Sequence, residues 1–183
     1  EPYLEYQSDP KTIAEAVDIP MILYNVPGRT VADISNQTVV KLASVPNIIG
    51  IKDATGNIGR GCDLLSQIPE NFSVYSGDDA TSLALLLLGA HGVISVTANV
   101  APKLMHEMCA AAFSSDLANA RAINDKLLKL HTDLFVEANP IPVKWAVSRM
   151  GFMGAGIRFR LTTLTDQYHS LLIAAMKQAE VLN

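Results

Sequence analysis

Short apolar runs that end in polar residues alternate with helix-like stretches through the first part of the chain. Met21-Ile22-Leu23 leads into Tyr24-Asn25-Val26-Pro27-Gly28-Arg29-Thr30, and Ile48-Ile49-Gly50-Ile51 leads into Lys52-Asp53-Ala54-Thr55-Gly56. Such continuous runs predict parallel strands, buried on both faces. The pattern places strands at Ile19–Tyr24, Ile48–Lys52, Phe72–Ser76 and Val93–Val96, with Gly77-Asp78-Asp79 closing the third and Gly89-Ala90-His91-Gly92 preceding the fourth. Before the first strand it predicts a helix over Pro10–Val17 capped by Asp9, and after it one capped by Asp33 or Ser35 that reaches Ala43. A third helix spans Gly56–Gln67, and Thr81–Leu88 forms an all-round apolar helix expected to be buried on most faces. Residues 1–9 show no period and read as a lead-in loop, and Pro27-Gly28 reads as a turn.

From about Pro102 the strands stop. The spacing predicts helices at Lys103–Phe113, Asp116–Glu137, Pro142–Met150 and Asp166–Val181, the last opened by the capping signal Thr163-Leu164-Thr165-Asp166. Up to that point strand, loop and helix recur at intervals of roughly 20 to 28 residues, the rhythm of βα units around a parallel sheet. The fold class is therefore α/β. Tyr24 and Lys52 fall one repeat apart at the C-terminal ends of neighbouring strands, where a (β/α) barrel carries its chemistry. A closed barrel takes eight strands and typically ~250 residues, so four βα units leave edges and an interior to be covered.

Composition narrows the classes. With 183 residues, 49% of them hydrophobic and 17% charged, the chain can bury a sizeable core. A net charge of −4 from 14 basic and 18 acidic residues, without runs of one sign, argues against nucleic acid or a membrane surface and for small-solute partners. Cys62 and Cys109 are too few and too distant for a disulfide framework, which suggests a reducing, cytoplasmic setting. The longest apolar run, Leu83–Leu88, is far too short to span a bilayer, and no signal segment precedes it. The absence of an initiator Met suggests that residue 1 is not a natural start.

Five motifs then carry a resemblance. Tyr24-Asn-Val-Pro-Gly-Arg-Thr30, Gly50-Ile-Lys-Asp-Ala-Thr-Gly56, Ser76-Gly-Asp-Asp79, His91-Gly-Val-Ile-Ser-Val-Thr-Ala-Asn99 and Asn139-Pro-Ile-Pro-Val-Lys-Trp-Ala146 together resemble the dihydrodipicolinate synthase (4-hydroxy-tetrahydrodipicolinate synthase) family. The likeness runs from about Lys11 to the C-terminus and looks like the second half of that enzyme. It implies a (β/α)8 TIM barrel, here βα units five to eight over residues 1–101, with the last barrel helix and a C-terminal helical domain over 102–183. It also implies a lyase that condenses pyruvate with aspartate semialdehyde on the route to diaminopimelate and lysine, usually as a homotetramer.

By the same resemblance Lys52 is the Schiff-base lysine and Tyr24 the proton-relay tyrosine. Arg29 receives the carboxylate of the semialdehyde, and Gly77 and the carbonyl of Ile94 line the pyruvate pocket. No cofactor or metal is implied, since the covalent imine between Lys52 and pyruvate does the work. The family's first four strands lie outside the matched stretch. They carry a Gly-Thr-Thr-Gly loop for the pyruvate carboxylate and a tyrosine donated across a dimer interface. Arg160 and Thr163 stand where the family often has prolines, and residues 1–10 match poorly. A complementing N-terminal half or a homo-oligomer is the expected partner.

Each residue also has a plainer reading. A lysine at a strand end is commonly solvated, whereas as a nucleophile it must lose its proton, which apolar walls favour. Tyr24 fits a strand core as well as a general acid/base. Arg29 is either solvated or a planar grip for a carboxylate. Asp78-Asp79 could serve a metal, but one is better read as a cap for the helix near Thr81, with the other in solvent. His91, His106, His131 and His169 share no ligand spacing. Gly56-Asn57-Ile58-Gly59 reads as a turn into a helix more readily than as a phosphate cradle. Two rivals stand beside the main reading: a sugar-acid aldolase similar to N-acetylneuraminate lyase, and a non-catalytic half-barrel that serves assembly.

Overall fold

In the computed structural model, which describes residues 9–182, the chain divides into two compact units, one ending at Ile94 and the other beginning at Ser95. The lead-in loop expected before Asp9 lies outside the described residues.

The first unit opens with α1 (Pro10–Ala16), where the Asp9 side chain accepts hydrogen bonds from the Thr12 hydroxyl at 2.7 Å and the Lys11 N–H at 3.0 Å. Those bonds, the Thr12 hydroxyl first, hold the Asp9 carboxyl below its ordinary value. There follow β1 (Met21–Asn25), α2 (Pro27–Thr30), α3 (Asn36–Leu42), β2 (Ile48–Asp53), α4 (Ile58–Leu65), β3 (Ser73–Ser76), α5 (Ser82–Leu87) and β4 (Gly92–Val93). The sheet order is β1-β2-β3-β4 with every neighbouring pair parallel. The predicted βα repeat is therefore present.

Two local differences have clear causes. Pro27 begins a full helical turn, α2, closed by Val31 in the left-handed region at φ 61°, whose N–H donates to the Pro27 carbonyl. β4 is shorter than expected because the chain turns at Val96 into a 3-10 helix over Thr97–Asn99. α3 is capped by Ser35, which accepts from Thr38 N–H at 3.2 Å, leaving Asp33 to other partners.

The two faces of the sheet are unequal. Leu23, Asn25, Ile51, Asp53, Val74 and Ser76 share one face and are all buried. The same core takes Ala14, Val39, Leu64, Leu85 and Leu86 from the helices. On the opposite face Ile22 and Tyr24 are 41% and 51% exposed, and Lys52 and Tyr75 are half-buried. Burial on both faces, as the apolar runs suggested, does not hold: the helices of the unit cover one side only. Likewise α5 buries Ser82, Leu83, Leu85 and Leu86 but leaves Leu87 46% exposed, a narrower contact than its composition implied. Gly50 is needed where β2 meets β3, because a Cβ there would lie 2.6 Å from the Ser73 carbonyl oxygen.

The second unit is helical. α6 (Pro102–Phe113), α7 (Leu117–Asp133), α8 (Ile141–Arg149) and α9 (His169–Gln178) bury Met105, Met108, Leu127, Leu130, Leu172 and Met176. α7 packs on both α6 and α9. Asp116, expected as the first residue of this helix, is the cap of α7, and the helix stops at Asp133, short of Glu137. The capping signal before the last helix forms no side-chain cap. Instead Thr165 N–H donates to Glu137 Oε1 at 3.2 Å, and a 3-10 turn over Asp166–Tyr168 precedes α9. Arg160 has φ 84°, a conformation closed to proline. Among the described residues no helix is long and apolar enough to cross a membrane.

Two predictions follow from packing. Gly50→Ala should lower stability by about 1–3 kcal/mol through overpacking against β3, read as a shift of the urea midpoint. Cys62 is exposed, whereas burial pushes the Cys109 thiol up. A disulfide reagent should therefore titrate Cys62 fast and Cys109 slowly in the folded chain, and the reverse order would contradict this packing.

Candidate active site

Parallel pairing sets Tyr24 of β1 opposite Lys52 of β2, and Lys52 opposite Tyr75 of β3. All three lie on the open face of the sheet. Lys52 Nζ rests 4.2 Å from the centroid of the Tyr24 ring, over its π-face. Among the described residues the amine meets no carboxylate within ion-pair distance. Gly77 follows β3, and its N–H donates to the Asp53 carbonyl at 2.7 Å. A Cβ on Gly77 would stand 2.7 Å from Lys52 Cε, 2.8 Å from Ala54 Cβ and 3.0 Å from Lys52 Cγ. The missing side chain is what gives the lysine stem its groove. Ile94 N–H donates to the Ser76 carbonyl at 2.8 Å, continuing the ladder past β4 and bringing Ile94 to the same end of the sheet.

Tyr24, Lys52, Gly77 and Ile94 thus stand at the C-terminal ends of the four consecutive strands. Arg29 lies in α2, immediately after β1; it is exposed and in no ion pair among the described residues.

A polar cluster beneath these ends was not read from the sequence. Asn25 is 1% exposed; its Nδ2 donates to Asp33 Oδ1 at 2.8 Å, and its Oδ1 accepts from Ile34 N–H at 3.1 Å. Asp53, 4% exposed, accepts from Thr55 N–H at 2.9 Å and faces Arg60 Nε at 3.5 Å. The Arg60 guanidinium also reaches Asp33 Oδ2 at 3.3 Å and donates to the Ile34 carbonyl. The signal was present: Asn25 and Asp53 are polar residues at positions whose parity faces the helices, where an unpaired polar group is costly.

The remaining candidates are structural. Asp78 Oδ2 accepts from the Thr81 N–H at 3.1 Å and from its hydroxyl at 2.6 Å, closing the turn before α5, whose N-cap residue is Thr81 and not the carboxylate expected there. Asp79, expected in solvent, is 1% exposed, because the turn folds it under the start of α5. Asn57 caps α4 by accepting from Arg60 N–H at 2.9 Å, so Gly56–Gly59 is a helix-opening turn. His91 Nδ1 accepts from Val74 N–H at 3.1 Å, and His169 stacks on Trp145 with ring centroids 4.6 Å apart. Among the described residues no three His, Cys, Asp or Glu side chains gather as metal ligands would.

This alignment of Lys, Tyr and Gly at the strand ends can be compared with known proteins. Residues 4–179 match the dihydrodipicolinate synthetase family. The chain belongs to that family. The 4-hydroxy-tetrahydrodipicolinate synthase of Nitrosomonas eutropha is 72% identical over 93% of this chain and 59% of its own length. That of Nitrosospira multiformis is 70% identical over 93% of this chain and 57% of its own. The chain thus spans under two thirds of the length of these relatives. Among solved structures, the chloride-inhibited dihydrodipicolinate synthase of Acinetobacter baumannii complexed with pyruvate superposes with TM-score 0.92 at 53% identity, over 98% of this chain and 60% of that one. The Thermotoga maritima enzyme gives TM-score 0.91 at 38% identity, over 98% and 61%. The α/β fold is the one found in dihydrodipicolinate synthase barrels.

In this family member the fit between Gly77 and Lys52 is directly testable. Gly77→Ala should displace the lysine stem and move the Nζ-dimethyl NMR signal of a reductively methylated sample away from the Tyr24 ring current. An unchanged signal would show that the groove does not position the amine.

Proposed function

We propose that the chain carries the catalytic lysine of a 4-hydroxy-tetrahydrodipicolinate synthase, which condenses pyruvate with L-aspartate 4-semialdehyde in diaminopimelate and lysine biosynthesis. The observation that carries this reading is the Lys52 amine held over the Tyr24 ring in the groove left by Gly77. The relatives' names and the pyruvate complex of the Acinetobacter enzyme support it.

In this reading the neutral Lys52 amine attacks the pyruvate ketone carbon, forming a carbinolamine. The Tyr24 hydroxyl relays the proton that lets the former ketone oxygen leave as water, giving an iminium. Loss of a methyl proton yields an enamine, whose carbon attacks the aldehyde of the second substrate. Arg29, on the exposed turn beside β1, grips that substrate's carboxylate with two parallel hydrogen bonds. Gly77 and the Ile94 carbonyl line the pyruvate pocket. The imine to Lys52 supplies the electron withdrawal, and no cofactor or metal enters the scheme.

The four strands are on this view βα units five to eight of a (β/α)8 barrel. Residues 1–101 form its second half, and 102–183 the last barrel helix and C-terminal helical domain. The open face would be the barrel interior, covered by a complementing N-terminal half, in a cytoplasmic homotetramer. That same open face also favours a second reading, a non-catalytic half-barrel that serves assembly.

Borohydride reduction in the presence of pyruvate, followed by peptide mapping, separates the two. A reduced adduct on Lys52, lost in Lys52→Ala, is expected; persistence of the adduct in that variant would reject the assignment. Tyr24→Phe should slow imine formation by about 10²–10⁴-fold. Arg29→Ala should leave the adduct intact while weakening use of the semialdehyde, and an equal loss of both would remove Arg29 from its role.

A further inference from the structure

The segment bearing Arg29 needs an anchor of its own. Gly28, Arg29, Thr30 and Val31 are exposed, Val31 at 96%, so the turn gains little from apolar packing. Inside the segment, the Thr30 hydroxyl donates to the Ala32 carbonyl at 2.9 Å and Val31 N–H donates to the Pro27 carbonyl. These bonds shape the turn but tie it to nothing else. At its start the segment is continuous with β1. At its far end, Asp33 and Ile34 meet Asn25 and the guanidinium of Arg60.

Arg60 comes from a different βα unit. It sits in the first turn of α4, directly after the strand that bears Lys52, and its side chain is only 15% exposed. Its planar fork reaches three oxygens: it donates to Asp33 Oδ2 and the Ile34 carbonyl, and its Nε forms an ion pair at 3.5 Å with Asp53 Oδ2, next to Lys52 in the chain. The Asn36 amide Nδ2 closes the arrangement by donating to the Arg60 carbonyl at 2.9 Å and to Asp63 Oδ2 at 2.7 Å. A lysine ammonium is a point charge and lacks the geometry to bridge all three acceptors.

We infer that Arg60 is a positioning residue that locks the Arg29 turn to the end of the Lys52 strand, fixing the distance between the carboxylate grip and the nucleophile. The consequence for the acceptor rests on the function proposed above; the lock itself does not. Orientation of a bound reactant depends on the rigidity of what holds it. With the lock released, Lys52 still meets the keto acid in its own groove, while Arg29 no longer presents its guanidinium at a fixed place.

The test has two arms, run on the full chain as Arg60→Gln, Arg60→Lys and Asp33→Asn. Asp33→Asn removes one half-exposed carboxylate charge and keeps the buried pair of Arg60 with Asp53, so it reports even if Arg60→Gln fails to fold. In the first arm, hydrogen exchange read by mass spectrometry should rise by about tenfold in peptides covering 26–35, with β2 and the helical unit unchanged. Arg60→Lys should fall between Arg60→Gln and the parent. Unchanged exchange in 26–35, or an equal rise everywhere, would overturn the lock.

In the second arm, the Michaelis constant for the aldehyde acceptor should rise by about tenfold while that for pyruvate and the borohydride-trapped Lys52 adduct stay near the parent values. Constants for both substrates moving together would overturn the link to Arg29. A parent chain that forms no pyruvate adduct would overturn the functional reading alone, and the exchange arm would still uphold or reject the lock.

Discussion

The parallel pairing of β1 with β2, regular from Ile22 onward, is the constraint on which the rest of the first unit depends. It sets Tyr24 against Lys52 on one face and Asn25 against Asp53 on the other. Because side chains alternate with a period of two, a slip of one residue would turn the lysine into the apolar core and bring a buried carboxylate out to solvent. The register is held from both sides. Leu23, Ile51 and Val74 fill the covered face, and Gly50 allows β3 to approach within van der Waals distance of β2. The placement of Tyr24 and Lys52 at the strand ends thus depends on an apolar core on the other side of the sheet.

Polar groups complete what the core begins. Asn25 and Asp53 occupy buried positions that hydrophobic residues would otherwise take, and each finds a partner on the following loop or helix. Breaking one side of such a buried pair leaves the other uncompensated, which costs more than the pair contributes. The cluster therefore serves less as a source of stability than as a device that admits a single arrangement of the loops above it.

Much of this was legible in the sequence, and the limits of legibility are physical. The apolar runs located the first three strands to within one or two residues and overran the end of the fourth by three, and the polar ends of the first two placed Tyr24 and Lys52 together. Continuous apolar runs do not reveal whether both faces are covered, since Ile22 on the open side and Leu23 on the closed side are alike in composition. The one-turn helix at Pro27 escaped notice because four residues carry no period. Arg60 escaped because its partners Asp33 and Asp53 come from separate loops and strands, and one chain gives no spacing rule for contacts of that kind. Asp79 misled because two adjacent carboxylates do not show which way a turn directs each: the one not bound to Thr81 was expected in solvent, but the turn carries it into the interior.

The inequality of the two sheet faces separates the apolar core from the candidate site residues. Most of the apolar core of the first unit lies between sheet and helices, while Ile22, Tyr24, Lys52 and Tyr75 occupy the opposite side. A scaffold built this way can change the side chains on its open face with little consequence for its covered core, so variation there is open to selection or to an engineer without first repairing the fold.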